Sequence, residues 1–139
     1  MGKKRIITKS GGGGKRVQAK TTKKRVAEGR LYIQSTYNNT KLLLTDKEGN
    51  ALVWSTAGAL GFSGARKATP YAAAKVGELL ADSAENMGMK EVEIIVKGVG
   101  AGRESSIRSF AGRGVKVATI KDKTPIPHGG VKAPKPRRV

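Results

Sequence analysis

Three runs in the first half of the chain are rich in apolar, β-branched and aromatic residues that favour β-strands, and turn residues separate them. They are residues 31–37 (LYIQSTY), 40–46 (TKLLLTD) and 51–57 (ALVWSTA). Asn38 and Asn39 separate the first two runs and tolerate the left-handed backbone of a tight turn, and the turn sequence KEGN separates the last two. The pattern predicts an antiparallel three-stranded meander with Trp54 in the core.

The second half of the chain begins with helical periodicity. Thr69 followed by Pro70 is typical of a helix start, because threonine caps the first turn and proline fits its first position. Apolar residues then recur three and four positions apart as far as Gly88, a typical helix end, which predicts one face packed on the sheet. Met87 and Met89 are interpreted as core residues and not as a ligand pair.

A strand-helix-strand unit follows the long helix. Residues 91–98 (EVEIIVKG) have a continuous apolar centre, which indicates a strand buried on both faces. Residues 103–111 are predicted to form a short helix. Residues 115–122 (VKVATIKD) alternate between apolar and polar positions and are predicted to form a fifth strand, so a parallel crossover is expected. The predicted fold class is α/β: a single-domain mixed sheet of about five strands with two helices.

Charge is concentrated at the two ends of the chain. The 28 Lys and Arg residues against 10 Asp and Glu residues give a formal net charge of +18. Residues 1–30 hold 11 basic side chains and one acid, and residues 113–139 hold eight and one, whereas the middle holds nine and eight. Two basic ends on a nearly neutral body favour a nucleic-acid partner, since each contact with a phosphate releases counterions.

Composition divides the chain in the same way. We expect an α/β body over residues 26–122, between a basic glycine-rich arm (residues 1–25) and a basic proline-rich tail (residues 123–139). The arm holds four consecutive glycines and little to bury, and the prolines of the tail favour an extended chain.

Composition also excludes several classes of protein. No apolar stretch reaches the roughly 18 residues of a membrane span, and the arms lack an amphipathic apolar stripe, so we expect a cytoplasmic protein that binds no membrane. The chain has no cysteine, and His128 is its only histidine, which argues against a zinc site and against nucleophilic catalysis. We expect no enzyme activity and no cofactor.

A glycine turn between the fourth strand and the second helix is a candidate anion site. Gly98, Gly100 and Gly102 alternate before Arg103 at the helix start. Three interpretations are open: a dinucleotide site with Asp122 as its acid, a tight turn without a ligand, and a site for an RNA backbone. The spacing departs from G-x-G-x-x-G, and the guanidinium of Arg103 beside free N–H groups favours phosphate.

The glycine-rich residues 58–70 are predicted to form a loop without regular structure, and residues 58–67 within it are the second candidate RNA site. Phe62 offers a ring for stacking, or alternatively fills the core, and Arg66 and Lys67 supply charge at the start of the long helix. Arg108 is placed either to pair with Glu104 or to reach RNA.

Several strings resemble the family of small-subunit ribosomal protein eleven. They are STYNNT, STAGALGFSGARKATPYAA, VKGVGAGRE and DKTPIPHGGVKAPKPRRV, within a match from about residue 23 to residue 139. The resemblance implies a ribonuclease-H-like body on the platform of the small subunit, which bridges separate rRNA helices. It also implies a place beside the cleft that holds the Shine-Dalgarno pairing of the mRNA.

The resemblance implies partners as well. They are small-subunit rRNA, mRNA near the Shine-Dalgarno cleft, ribosomal proteins seven and eighteen, and translation initiation factor three; no homo-oligomer is expected. Together with the basic ends, it gives the expected rRNA-binding residues: Lys23, Lys24, Arg25, Asn38, Asn39, Gly61, Phe62, Ser63, Gly64, Arg66, Lys67, Gly98, Gly100, Gly102, Arg103, Arg108, Thr124, Pro125, Ile126, Pro127, His128, Gly129, Gly130, Lys132, Lys135, Arg137 and Arg138.

The chain departs from the family pattern at four places. Val99 and Ala101 stand where the family usually carries prolines, and Gly129 stands where bacterial relatives commonly have asparagine. Residues 31–34 (LYIQ) stand where histidines are often found in the first strand, and the first 22 residues have no clear counterpart. On composition alone, a free-standing nucleic-acid-condensing protein is the main alternative, and a small nucleotide-dependent enzyme is the third.

Overall fold

The computed structural model describes residues 25–138, in which one five-stranded sheet packs against two helices. The predicted fold class is confirmed. Lys23, Lys24 and the glycine-rich arm up to residue 24 lie outside the described residues. The elements in chain order are β1 (Glu28–Ser35), β2 (Thr40–Asp46), β3 (Ala51–Thr56), a 3-10 helix (Gly64–Ala68), α1 (Pro70–Asn86), β4 (Glu91–Gly98), α2 (Gly102–Ala111) and β5 (Lys116–Asp122).

The sheet has the strand order β3-β2-β1-β4-β5, with β1 at its centre. Strands β1, β2 and β3 form the predicted antiparallel meander, and β4 runs parallel to both β1 and β5. The register places Leu31 opposite Leu44 on one side and Ile94 on the other. Period-2 alternation therefore gathers the aliphatic side chains of three strands on one face.

Both helices cover that face of the sheet. Val76 and Leu80 of α1 and Phe110 of α2 are fully buried against it, and Met87 and Met89 are buried too, as predicted. The Thr69 hydroxyl caps α1 by accepting a hydrogen bond from the Ala72 N–H at 3.2 Å. No helix within residues 25–138 is long and apolar enough to cross a lipid bilayer.

The opposite face of the sheet, called here the open face, carries Trp54, Leu43, Tyr32 and Ile95 side by side. The prediction that Trp54 lies in the core is wrong, because its side chain is 62% exposed. Val53 occupies the core-facing position of β3, and alternation then turns Trp54 away from the helices. Ile95 is buried on the open face, so the prediction that β4 is buried on both sides is confirmed.

The loop prediction for residues 58–70 is wrong over Gly64–Ala68, which form a 3-10 helix. Its turns are closed by hydrogen bonds from the Arg66 N–H to the Ser63 carbonyl (3.2 Å) and from the Thr69 N–H to the Arg66 carbonyl (3.3 Å). Glycine content predicted irregular structure, but these i to i+3 bonds need only a short run, which the chain supplies just before α1.

Candidate nucleic-acid interface

One edge of the sheet collects four of the segments that the sequence singled out. The carboxyl ends of β1, β3, β4 and β5 and the first residues of α1 and α2 meet there, because these strands run in the same direction. We call this region the loop edge. It consists of the hairpin turn 36–39, the segment 57–69, the glycine turn 98–102 and residues 123–124 at the start of the tail.

The hairpin turn is held by its own hydrogen bonds. The Thr36 hydroxyl accepts from the N–H groups of Asn38 (3.3 Å) and Asn39 (3.0 Å), and the Asn39 side-chain oxygen accepts from the Thr40 N–H at 2.9 Å. Asn39 therefore shapes the turn, while the side chain of Asn38 is exposed at its tip. Tyr37 beside it is 78% exposed. Sequence reasoning missed Tyr37 because the pattern places this residue at the end of a strand.

Packing within the protein explains the three glycines of the turn 98–102. Gly98 has a φ of 100°, which disfavours any side chain, and a Cβ there would overlap the Ser35 carbonyl. Side chains at Gly100 and Gly102 would overlap Thr36 and Thr40 of the neighbouring hairpin. The turn thus lies directly on the hairpin, and close approach of an RNA backbone to these glycines stays a prediction.

The side chain of Arg103 forms its hydrogen bonds within the protein and thereby connects three segments. Its guanidinium donates to the Gly98 carbonyl and, at 2.7 Å, to the Asp122 carboxylate. The Thr124 hydroxyl donates to the other carboxylate oxygen of Asp122 at 2.6 Å and accepts from the Gly98 N–H at 3.2 Å. We call these contacts the Arg103 network; they fix the start of the tail against the glycine turn.

The Arg103 network also bears on the dinucleotide interpretation. Hydrogen bonds from Thr124, and then from Arg103, hold the pKa of Asp122 well below its usual range, so this carboxylate stays ionised. Both of its oxygens are engaged by these two residues, whereas a ribose hydroxyl needs one of them. The acid that a dinucleotide site would use is thus bonded within the protein, to Arg103 and Thr124.

The segment 57–69 presents free cations. Arg66 is exposed and Lys67 is half-buried, and neither forms an ion pair with an acid within residues 25–138. The backbone at Gly61 and Gly64 has open space around it. Phe62 packs against the core and meets the Tyr71 ring edge-to-face, with 5.9 Å between ring centroids, which supports the alternative interpretation of this residue.

The tail leaves the body at the loop edge and then stays on the surface. The Lys123 N–H donates to the Val96 carbonyl at 2.9 Å, after which the described tail forms neither helix nor strand. Its predicted binding residues from Pro125 onwards are exposed, including His128. The four basic ones, Lys132, Lys135, Arg137 and Arg138, have no ion pair in the described part of the chain.

Two predicted site residues lie away from the loop edge. Arg25 is near Gly88, beyond the end of α1 and at the opposite edge of the sheet. Arg108 is exposed on α2, and its guanidinium lies 3.8 Å from Glu104, which is one of the two alternatives that the sequence allows. In the described residues, the cations of the site therefore concentrate at the loop edge and on the tail.

Fold and site together define a small basic α/β protein with unpaired cations at the loop edge and along an exposed, irregular tail. The comparison with known families identifies the complex to which such a protein belongs. Residues 29–138 match the model of the family described as Ribosomal protein S11, and the chain belongs to that family. It is accordingly a structural, RNA-binding protein of the small ribosomal subunit that functions in translation, in a family without enzymatic activity.

Proposed function

We propose that the chain lies on the platform of the small subunit and bridges separate rRNA helices there. In that position it helps to form the cleft in which mRNA pairs through its Shine-Dalgarno sequence. The proposal combines the family membership with the ordered motifs of the loop edge and tail. The protein neutralises phosphate with Lys and Arg side chains and performs no catalysis.

The observation that carries the proposal is the gathering of unpaired cations at one edge. Arg66 and Lys67 have no acidic partner among the described residues, and they stand beside open backbone at Gly61 and Gly64. The first helical turn of α2 receives no hydrogen bond from a side-chain cap, so its N–H groups add to the positive potential. A phosphate backbone laid along this edge meets donors from several segments.

The tail supplies the second RNA contact that bridging requires. Residues 123–138 form neither helix nor strand, and a chain of this length reaches at most about 50 Å when fully extended, at roughly 3.3 Å per residue. The tail starts at the loop edge because the Arg103 network holds it there. One RNA helix bound at the loop edge and another bound by the distal cations of the tail are thereby joined through a single protein.

The proposal extends to neighbours and location. Ribosomal proteins seven and eighteen and translation initiation factor three are the proposed protein partners, and mRNA passes nearby in the cleft. The protein acts in the cytoplasm as part of the ribosome, without forming a homo-oligomer. The basic arm 1–25, the body 26–122 and the tail 123–139 act as separate functional segments.

Chemical footprinting of reconstituted small subunits tests bridging. The full chain is expected to protect two rRNA regions that are distant in secondary structure. Deleting residues 129–139 removes the distal cations of the tail and should expose one region while leaving the other protected. Deleting residues 1–10 serves as the control, because that segment lies outside the family match, and it should leave both protected.

Two results would contradict the proposal. Protection of a single continuous helix by the full chain would rule out bridging. Equal footprints and equal occupancy for the two truncated chains would show that the tail does not supply the second contact.

A further inference from the structure

The open face of the sheet carries an apolar row with an aromatic ring at its outer end. The strand register sets Trp54 opposite Leu43, Leu43 opposite Tyr32, and Tyr32 opposite Ile95. Trp54 is exposed, Leu43 and Tyr32 are half-buried, and Ile95 is buried. Both helices pack on the other face, so within residues 25–138 no helix covers this row. The indole of Trp54 and the ring of Tyr32, whose hydroxyl interacts with the Arg30 side chain, are thus available to a ligand.

The aromatic side chains line a depression of about 320 Å³. Tyr32 and Trp54 lie on either side of it, because Leu43 stands between them in the register. Its lining also includes polar groups from the ends of the three strands: Gln34, Lys41 and Thr56. A site that is aromatic at the sides and polar at one end fits a flat heterocycle with a hydrogen-bonding edge.

The charged side chains of the open face form ion pairs in one half of the face but not in the half near the loop edge. Glu93 pairs with Lys121 at 2.8 Å and with Arg30 at 3.6 Å, which neutralises the half of the face away from the loop edge. Lys41 and Lys97, which flank Gln34 in the register, are exposed and form no ion pair with a described residue. The uncompensated positive charge therefore lies between the aromatic row and the loop edge.

We propose that the open face holds an unpaired nucleotide of RNA, with its base stacked between Trp54 and Tyr32 and its phosphates beside Lys41 and Lys97. This inference rests on the proposed function, since the RNA would continue from the loop edge across the ends of β1, β2 and β3. Charge favours RNA over a protein partner. An apolar protein segment would leave both lysines without a counter-charge, whereas the phosphates of a single strand supply it.

The single tryptophan of the chain provides a direct readout. The full-length protein is titrated with a ten-nucleotide single-stranded RNA of mixed sequence and, separately, with a blunt RNA duplex of the same length. Stacking should quench the Trp54 emission with the single strand. The duplex, whose bases are already stacked on one another, should bind through phosphates with much less quenching.

Variants at Trp54 separate stacking from simple apolar contact. Affinity is measured by the anisotropy of end-labelled single-stranded RNA at one fixed salt concentration, with circular dichroism confirming the fold. Trp54→Leu should weaken binding by about five-fold or more, since stacking on an aromatic side chain contributes about 1–3 kcal/mol per base. Trp54→Phe keeps a ring and should restore most of the affinity.

Lys41→Ala tests the charged end of the site against Lys90→Ala. Both changes remove one exposed positive charge, but Lys90 lies in the turn before β4, at the edge of the sheet opposite the loop edge. Lys41→Ala should weaken binding of the single strand several-fold, and Lys90→Ala should change it little.

Several outcomes would overturn the inference. RNA binding without quenching, or with equal affinity for wild type and Trp54→Leu, would show that the nucleotide does not use this face, while the proposed function would stand. If Trp54→Leu then lowered only incorporation into the subunit, the face would belong to a protein neighbour. Equal losses for Trp54→Leu and Trp54→Phe would rule out stacking. Failure of the full chain to bind either RNA would remove both this inference and the proposed function.

Discussion

At the scale of single residues, the loop edge depends on Arg103 and the carboxylate that it holds. Asp122 accepts from the Arg103 guanidinium and twice from Thr124, and its pKa in the folded protein is lowered below the ordinary value of 3.8. Because folding lowers the pKa of Asp122, its ionised carboxylate stabilises the fold at pH values above 3.8. This stabilisation is lost progressively as the pH falls below 3.8.

Asp122→Asn should therefore lower the midpoint of chemical denaturation at pH 7. The difference between wild type and variant should shrink as the pH falls from about 4 towards 2, because Asp122 of the unfolded wild-type chain then takes up a proton. Denaturation midpoints of both proteins across that range give the answer. A difference that stays constant down to pH 2 would show that the ionised carboxylate does not stabilise the fold.

The glycine turn makes a second prediction at this scale. Gly98→Ala combines a φ of 100° with an overlap on Ser35, so it should cost clearly more than the roughly 1–2 kcal/mol of a left-handed alanine alone. Gly61→Ala is the matched control, since its φ is 104° but nothing lies within 4 Å of the added methyl. Thermal unfolding midpoints compare the two, and equal losses would contradict the packing explanation of Gly98.

Single residues are also the hardest to predict from the sequence. The alternation of glycines before Arg103 marks the right turn, but it does not reveal that the hairpin occupies the space beside them. A large apolar indole predicts a buried Trp54, yet strand parity decides which face a side chain takes. Which of the two faces becomes the core depends on α1 and α2, which come from a later part of the chain and pack on the side of Val53.

At the scale of elements, the segment 57–69 and the start of α1 form one unit. The Thr69 hydroxyl donates to the Arg66 carbonyl at 2.9 Å and accepts from the Ala72 N–H, so the 3-10 helix leads directly into α1. This arrangement holds Arg66 and Lys67 close to the N-terminal end of α1, where the helix dipole is positive.

Arg66→Ala should weaken binding to small-subunit rRNA and reduce the slope of log K against log salt by about one, as expected for one lost phosphate contact. Lys90→Ala, which removes a charge at the opposite edge, should leave the slope unchanged. The thermal midpoints of both variants should equal that of wild type, because neither side chain forms an ion pair among the described residues. An unchanged slope for Arg66→Ala would exclude this residue from the interface.

Elements are easier to predict than residues. Both helices and all five strands are predicted from local signals: β-favouring and apolar runs for the strands, apolar spacing for α1, and residues typical of helix starts and ends. The 3-10 helix escapes prediction, since a run of only five residues leaves no periodic signal. The position of β1 at the centre of the sheet, beside β4, also cannot be predicted from local sequence. It depends on pairing between strands that are far apart in the chain.

At the scale of the whole molecule, charge indicates the class of partner and topology explains how the site is assembled. The basic ends favour a polyanion on composition alone. The parallel run of β1, β4 and β5 brings the glycine turn and the tail to the edge where β3 delivers the segment 57–69. The ordered motifs and the family match indicate that the polyanion is ribosomal RNA, because charge alone does not distinguish rRNA from other nucleic acids.

The measurement that tests the central claim most directly is sedimentation of a native lysate through a high-salt gradient, with this protein followed across the fractions. A structural protein of the small subunit should stay with the fractions that contain small-subunit rRNA, because many contacts from the loop edge and the tail must be lost together before it is released. Release to the top of the gradient, with equal binding to duplex DNA and to small-subunit rRNA at the same salt, would contradict the account. That result would favour a free-standing nucleic-acid-condensing protein instead.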